Sequence, residues 1–478
     1  MKTKCFILIL IILLLSFETL FAGGRKKAPA AILSQEAIRS NFNRRVPPHD
    51  FDIILGRPTD HSITISMLTY KDMDLFFEYG TEPGNYTQKT ALYNLKFDEP
   101  IEVLIDTLKP DTQYYYCMQY KDPAPMKFSK TEEYTFHTQR SPGSTFVFNV
   151  QADPHLPKDA DDPYEVTLNN VLMDKPDFYI DLGDTFQTDR GGTEYMGFHI
   201  QRSYLGKICH STPFFFVLGN HDGEQGHRLN GTPNNLTINS ATLRKKYIPN
   251  PFPNTFYTGN QAEEQYVGIL EDYYAWKWGD AQFIVLDPFW YTTERRRDDN
   301  NWYWTLGQDQ YQWFRKTMET SDSKFKFIFI HNLLGGHNVG GTARGGIEVA
   351  GHFEWGGHNP DGSYAFNEKR PGWGKPIHQI LVENKASIVF HGHDHFYVKQ
   401  DLDGVVYLEC PSPTKNGLGN FDSYKEWKYL TGVALRSPGH MRITVSPDKV
   451  VADYIYSSLD KEKNGRIEHS FTVEPGDN

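Results

Sequence analysis

The 478-residue chain is predicted to fold as a layered α/β (α+β) domain preceded by an all-β sandwich. Between residues 51 and 139, short runs alternate polar and apolar residues, which is typical of strands with one buried face. From Thr145 onward, mostly apolar runs alternate with helical patterns. Such runs indicate strands covered on both faces, and their alternation with helices indicates a layered domain. A chain of this length is expected to hold two or three domains.

The N-terminal segment reads as an export signal. Two lysines precede an unbroken apolar run from Phe6 to Leu15, and small residues follow at Ala22-Gly23-Gly24. This order is typical of a secretory signal. The run is short for a membrane span, so an uncleaved anchor is the second choice. We expect a signal peptide over 1–22, a basic lead-in segment over 23–48, a secreted or periplasmic protein, and no stable membrane span after cleavage.

Net charge limits the expected binding partners, and the cysteine count limits the possible disulfides. The net charge is −11, so the chain offers no electrostatic reason to bind DNA or RNA. Signal cleavage would leave Cys117, Cys209 and Cys410, which allow at most one internal disulfide. Buried apolar thiols are the favoured interpretation of all three. The oligomeric state stays open.

The first predicted domain spans 49–140. Its strand candidates are 62–67, 74–79, 101–105 and 114–120, with turn signals between them. Several short strands at this spacing predict a β-sandwich. The segment 108–116, Leu-Lys-Pro-Asp-Thr-Gln-Tyr-Tyr-Tyr, resembles a fibronectin type III domain. Such a domain either contributes a loop to a catalytic cleft or serves as a spacer, and we favour the spacer.

The second predicted domain spans 145–460, with a C-terminal strand and tail over 461–478. Its apolar runs are expected to be strands at 146–150, 178–182, 214–218, 283–286, 325–330, 387–390, 441–445 and 450–456. Residues near a 3.6 spacing predict helices at 164–173, 195–208, 309–317 and 376–382.

Five of these apolar runs are followed by residues able to bind metals. The five motifs are Asp153-Pro154-His155, Gly183-Asp184, Gly219-Asn220-His221-Asp222, His331 and Gly392-His393-Asp394-His395. Ligands collect outside the carboxyl ends of strands in such sheets. A mixture of carboxylates, an amide and imidazoles suits manganese, iron, cobalt or zinc, and one carboxylate can bridge two metals. Any one motif alone would be read as a turn, but five strand ends carry the same kind of residue.

These five motifs, in this order, resemble the calcineurin-like metallophosphoesterase superfamily over roughly residues 145–457. The preceding fibronectin-like domain makes the whole arrangement similar to purple acid phosphatases. The resemblance implies a four-layer β-sandwich flanked by helices, with a two-metal centre at one edge. Asp184 would bridge the two metals. The remaining ligands would be Asp153, His155 and His395 for one metal, and Asn220, His331 and His393 for the other.

The resemblance also implies an activity. His221 would protonate the leaving oxygen or stabilise the phosphoryl group, and Asp222 would orient His221. A metal-bound hydroxide would attack in line with the leaving group of a small phosphorylated substrate. Two divalent or trivalent ions, Mn, Fe or Zn, are expected as cofactors. Phosphomonoesterase is favoured by the domain order and phosphodiesterase is the alternative. A different class of function is an adhesion or binding protein with an inactive phosphoesterase domain.

Two features lie outside the shared pattern. Purple acid phosphatases carry a tyrosine three residues after the Gly-Asp aspartate, where this chain has Gln187, and a glycine where it has His155. The sequence therefore predicts a colourless protein without a ferric–tyrosinate centre. The glycine-rich stretch 335–374 is either a lid or a solvated insertion, and Arg344 and His337 within it are candidate substrate-binding residues.

Overall fold

The computed structural model describes residues 49–123, 127–156, 162–185, 194–296, 298, 300–339 and 342–476. The predicted signal peptide, the lead-in segment and Gln187 lie outside these residues. Within them, no helix has both the length and the apolar character needed to cross a membrane.

The N-terminal region is all β, as predicted. The strands among its described residues are β1 (Phe51–Gly56), β2 (Ile63–Thr69), β3 (Met73–Gly80), β4 (Gln88–Lys89), β5 (Tyr93–Leu95), β6 (Ile101–Ile105), β7 (Gln113–Lys121), β8 (Ser129–Lys130) and β9 (Tyr134–His137). One sheet has the order β1-β2-β6, and the other is built on β3 and β7. Side chains from both sheets, including Ile65, Phe77 and Tyr116, form one buried cluster. The alternating pattern of the sequence is therefore the signature of a two-sheet sandwich.

The remaining described residues form a mixed α/β region. Its strands are β10 (Phe146–Gln151), β11 (Phe178–Asp181), β12 (Phe214–Phe216), β13 (Thr258–Gly259), β14 (Glu263–Glu264), β15 (Gly268–Ile269), β16 (Tyr274–Trp278), β17 (Ala281–Val285), β18 (Phe325–Phe329), β19 (His337–Val339), β20 (Thr342–Arg344), β21 (Ile388–His391), β22 (Tyr397–Leu402), β23 (Val405–Glu409), β24 (Val433–Leu435), β25 (Gly439–Val445), β26 (Val450–Tyr456) and β27 (Ile467–Val473). Its helices are α1 (Tyr164–Asp174), α2 (Glu194–Leu205), α3 (Leu236–Tyr247), α4 (Gln308–Thr320), α5 (Phe353–Gly356), α6 (Phe366–Lys369) and α7 (Ile377–Glu383).

Two large sheets form the centre of this region. One has the order β12-β11-β10-β25-β26-β27, and the other has the order β13-β16-β17-β18-β21-β23-β22-β24. Their facing sides share an aromatic core in which Phe283 lies edge-on to Phe148 and Phe178, each at 5.1 Å between ring centroids. A separate buried cluster joins residues of α1, α4 and α7 to strand residues such as Tyr179 and Val389. The predicted sandwich flanked by helices is confirmed.

Parallel pairing brings the site together. Strands β10, β11 and β12 run parallel to one another. In the second sheet, β17, β18, β21 and β23 also run parallel. Because parallel strands end at the same edge of a sheet, the residues that follow β10, β11 and β12 lie together at the edge of one sheet, and those that follow β18 and β21 lie together at the edge of the other. Those residues are the five motifs singled out in the sequence. The hydrogen bond from His331 to the Leu182 carbonyl joins the two edges.

The N-terminal sandwich is packed tightly against the mixed region. Arg202 of α2 is fully buried and donates to the Ser66 carbonyl and hydroxyl and to the Asp52 carbonyl. It also donates to the Tyr247 carbonyl at the end of α3. One guanidinium group thus joins β1, β2, α2 and α3.

Some segments were not predicted from the sequence. Helix α3 lies within the polar stretch 224–268, and its Arg244 forms a buried bidentate ion pair with Glu224. The glycine-rich stretch 335–374 contains β19, β20, α5 and α6, and it buries Trp355 and Phe366 completely. Part of the stretch is therefore packed into the core, whereas residues 360–364 are exposed, and its role as a lid stays a prediction. Cys117, Cys209 and Cys410 are buried and free, as the thiol interpretation predicted.

Candidate metal centre

The candidate site sits on tight turns beyond the strand ends. Five of its residues have left-handed backbone conformations that are unusual for non-glycine residues. They are Asp153 (φ 56°), His155 (φ 45°), Asp184 (φ 56°), His393 (φ 81°) and His395 (φ 69°). Such conformations persist only where the surrounding structure imposes them, and they concentrate at functional sites.

The first ligand group consists of Asp153, His155 and His395. The Nε2 atoms of His155 and His395 lie 2.9 Å apart, and Asp153 Oδ1 lies 3.3 Å from His395 Nε2. Asp153 Oδ1 is buried without a hydrogen-bond partner among the described groups. Three metal-binding atoms that converge this closely in a buried place are better satisfied by a shared cation than by contacts with one another.

The second ligand group consists of Asp184, His331 and His393. His331 Nε2 lies 3.3 Å from Asp184 Oδ2 and 3.2 Å from His393 Nδ1. The side-chain oxygen of Asn220 lies 3.2 Å from the same His331 atom. Asn220 thus adds an amide oxygen to this group.

The two groups adjoin one another. Asp184 Oδ2 is 4.0 Å from His155 Nε2, and Asp153 Oδ1 is 3.9 Å from His331 Nε2. Asp184 is therefore within 4.0 Å of a ligand atom from each group. This donor set, with two carboxylates, one amide and four imidazoles, fits a pair of transition-metal ions.

Contacts on the far side of the histidine rings orient them. His331 Nδ1 donates to the Leu182 carbonyl at 2.8 Å, and the side-chain amide of Asn420 lies 2.8 Å from His395 Nδ1. The Ser437 hydroxyl donates to the His395 carbonyl at 2.6 Å. Rings held through one nitrogen present the other nitrogen toward the ligand site.

The charges of the site depend on one another. Burial by itself would lower the pKa of His331, but the Asp184 and Asp153 carboxylates outweigh it and raise the pKa to about 10. Burial, with the neighbouring His395, lowers the pKa of His155 to about 3. Burial also holds the pKa of His393 well below its usual range, with Arg344 adding to the effect. In the metal-free protein, a protonated His331 therefore compensates Asp184, while His155 and His393 are neutral and able to bind a metal.

His221 and Asp222 lie at the same site. The His221 ring is 5.6 Å from that of His155, and its backbone N–H donates to Asp184 Oδ1 at 2.6 Å. The Asp222 carboxylate accepts the backbone N–H groups of Asp184, Thr185 and Gly219 at 2.7 to 3.2 Å. Asp222 thus ties the turns after β11 and β12 together. Its predicted orientation of the His221 ring stays a prediction.

Arg344 and His337 occupy paired positions on the hairpin formed by β19 and β20. Arg344 Nη1 donates to the Asp394 carboxylate at 2.5 Å and to the His393 carbonyl at 3.0 Å. The hairpin therefore reaches the metal-ligand turn. A contact of either residue with substrate stays a prediction.

Sequence reasoning missed several residues around these ligands. Glu409, Tyr429 and Asn420 all contact the turn that carries His393 and His395. They lie far from that turn along the chain, and no motif marks them. Phe289 lines a cleft beside Asn220 with Trp304 and Thr342. Trp290 packs instead against Ile238 of α3.

Comparison with solved structures shows which proteins share this fold. The structure of PhoD superposes with a TM-score of 0.63 at 14% identity, covering 89% of this chain and 90% of that one. Purple acid phosphatase PPD1 from yellow lupin (Lupinus luteus) seeds superposes with a TM-score of 0.57 at 16% identity, covering 88% and 74%. At these identities the superpositions show a shared fold. No curated protein matches the chain in sequence.

The family of calcineurin-like phosphoesterases matches residues 146–397. The matched segment runs from the first residue of β10 to the first residue of β22 and includes all five motifs. The resemblance inferred from those motifs is confirmed. Because the match spans more than half of the chain, this protein belongs to the calcineurin-like phosphoesterase family.

Proposed function

We propose that the protein hydrolyses phosphoric esters, with phosphomonoesters favoured, at a dinuclear metal site. The observation that carries the proposal is the position of Asp184. Its Oδ2 atom is 3.3 Å from His331 Nε2 and 4.0 Å from His155 Nε2, which suits a carboxylate shared by two cations. Family membership makes a phosphoric ester the expected substrate class.

We assign the ligands by the two groups. One metal would be held by Asp153, His155 and His395 and the other by Asn220, His331 and His393, with Asp184 available to both. Bound metals supply charge neutralisation for the phosphoryl oxygens and a nucleophile derived from water at neutral pH. Mn, Fe and Zn all suit this donor set.

The remaining chemistry belongs to the chain itself. His221 is partly buried beside His155, which supports its imidazole as the group that would give a proton to the leaving oxygen. Proton donation of this kind contributes about 10²–10⁴-fold to a rate. Asp222 stabilises the backbone around His221, since its carboxylate accepts hydrogen bonds from backbone N–H groups of both adjoining turns.

The first test compares p-nitrophenyl phosphate with bis-p-nitrophenyl phosphate, using protein loaded with manganese, zinc or iron. We expect faster turnover of the monoester and, in Asp184→Asn, loss of activity together with loss of the second metal. Faster turnover of the diester would make the protein a phosphodiesterase. Bound metals with activity on neither ester would favour the binding-protein alternative.

Export is a separate part of the proposal. The basic start, the apolar run 6–15 and the small residues after it support a signal peptide, and a secreted or periplasmic location follows from it. N-terminal sequencing of the protein from the producing cell tests this. A mature chain that begins near residue 23 is expected, and an intact Met1 would refute cleavage.

A further inference from the structure

Two buried carboxylates lie directly behind the turn that carries His393 and His395. Asp394 sits between the two histidines and is 1% exposed, and Glu409 at the end of β23 is fully buried. Neither belongs to the two ligand groups. Buried carboxylates are costly unless hydrogen bonds satisfy them, so their partners show what they hold in place.

The Asp394 carboxylate is bound by two separate segments, the end of β20 with the residue after it and the segment that carries Tyr429. Its Oδ1 atom accepts Arg344 Nη1 at 2.5 Å. Its Oδ2 atom accepts the Gly345 backbone N–H at 3.1 Å and the Tyr429 hydroxyl at 2.8 Å. The Arg344 guanidinium stacks on the Trp427 ring at 4.1 Å, which leaves it little rotational freedom.

Glu409 holds the same turn through the backbone of Asp394. Its carboxylate accepts the backbone N–H of Asp394 at 3.0 Å, and it also lies 3.3 Å from the Tyr429 hydroxyl. His391 Nδ1, on the strand that leads into the turn, is 2.7 Å from Glu409. The Tyr429 hydroxyl is therefore shared between the two carboxylates and links them.

This arrangement bears on a strained piece of backbone. His393 and His395 both have positive φ angles, and Arg344 Nη1 also donates to the His393 carbonyl at 3.0 Å. The residue between the two histidines is thus anchored through its side chain and its backbone N–H. Strained turns relax when such anchors are lost.

We propose that Arg344, Asp394, Glu409, Tyr429 and His391 form a positioning network that sets metal affinity by holding His393 and His395 in place. The inference rests on the ligand assignment of the proposed function. It concerns both metals, since His395 belongs to the first ligand group and His393 to the second. It also gives Arg344 a role other than the predicted phosphoryl clamp.

Tyr429→Phe tests the network most cleanly, because the ring stays and only the shared hydroxyl is removed. Tyr407→Phe is the matched control. Tyr407 is fully buried on β23, and its hydroxyl also makes two hydrogen bonds, to Trp355 Nε1 at 2.9 Å and His378 Nδ1 at 2.8 Å. If the Tyr429 hydroxyl only stabilised the fold, both variants would have a lower melting temperature and the same metal affinity as each other.

Metal binding is measured by competition with a chromophoric chelator for Zn²⁺, and ligand geometry by the visible spectrum of the Co²⁺-loaded protein. Removing groups that orient metal ligands typically weakens binding by about 10- to 100-fold. We expect such a loss, with an altered Co²⁺ spectrum, for Tyr429→Phe and not for Tyr407→Phe. Wild-type affinity and spectrum in Tyr429→Phe would overturn the proposal.

Arg344 variants separate positioning from substrate binding. Arg344→Ala is expected to weaken Zn²⁺ binding, and Arg344→Lys to restore part of it by keeping a cation beside Asp394. Unchanged Zn²⁺ affinity with a raised KM would instead establish the phosphoryl clamp and overturn positioning by Arg344. Metal binding without hydrolysis in the wild type would refute the proposed function alone. Absence of metal binding would refute both proposals.

Discussion

Filling the site with metal should release a proton from His331. This ring is fully buried, and its Nδ1 donates to the Leu182 carbonyl at 2.8 Å. The additional proton of the metal-free protein must therefore sit on Nε2, the atom that faces Asp184 Oδ2 at 3.3 Å. A metal at that position needs the Nε2 lone pair, so binding and deprotonation are coupled.

The number of protons released follows from the pKa of His331, which the Asp184 and Asp153 carboxylates raise to about 10 despite burial. At pH 7.5 the ring of the metal-free protein would then be protonated about 300 times more often than not. Binding should release about one proton from His331. Over this range, the affinity should rise about tenfold per pH unit, or about 1.4 kcal/mol. His155, whose pKa burial lowers to about 3, should release none.

Isothermal titration calorimetry in two buffers of different ionisation enthalpy measures the released protons. Water bound at a metal also loses a proton near neutral pH, so the released protons are counted per metal bound and compared with His331→Gln, which lacks the imidazole but keeps a side-chain oxygen able to bind a metal. We expect the wild type to release about one proton more than His331→Gln at pH 7.5. Equal release by the two proteins would refute the assignment of the buried proton to His331.

Three further outcomes follow from the same structure. His221→Asn should lower kcat by about 10²-fold or more with unchanged metal content, measured by steady-state kinetics and elemental analysis; simultaneous metal loss would contradict a proton-donor role. Arg202→Met should reduce the free energy of unfolding in urea by about 3 kcal/mol, because buried carbonyl acceptors lose their donors, whereas Arg466→Met, at a 54% exposed side chain, should have little effect. Burial lowers the pKa of His210 to about 4, so its contribution to stability is present above about pH 6.5 and is lost as the pH falls through about 4. His210→Gln should therefore flatten the pH dependence of the melting temperature in that range, and an unchanged slope would argue against this cause.

The sequence was most informative where a local pattern and the three-dimensional environment agree. The predicted strand 101–105 coincides with β6. The predicted helix 164–173 begins with α1 and ends one residue before α1 ends. Both have regular burial patterns that local periodicity captures. Helix α3 was missed because its residues are largely polar. Its N-terminal signal was nevertheless present, since the Asn235 side chain accepts the Ile238 N–H as a helix cap does.

The sequence by itself determined the family and the candidate ligands, because each ligand follows directly after an apolar strand and parallel strands end at a common edge. Only the tertiary structure decided how the turn with His393 and His395 is held. Arg344, Glu409 and Tyr429 reach Asp394 from three distant segments. Contacts of this kind depend on how sheets and hairpins pack, and no spacing along the chain encodes them. For the same reason, the sequence predicted a substrate contact for Arg344 and could not show that this residue pairs with Asp394.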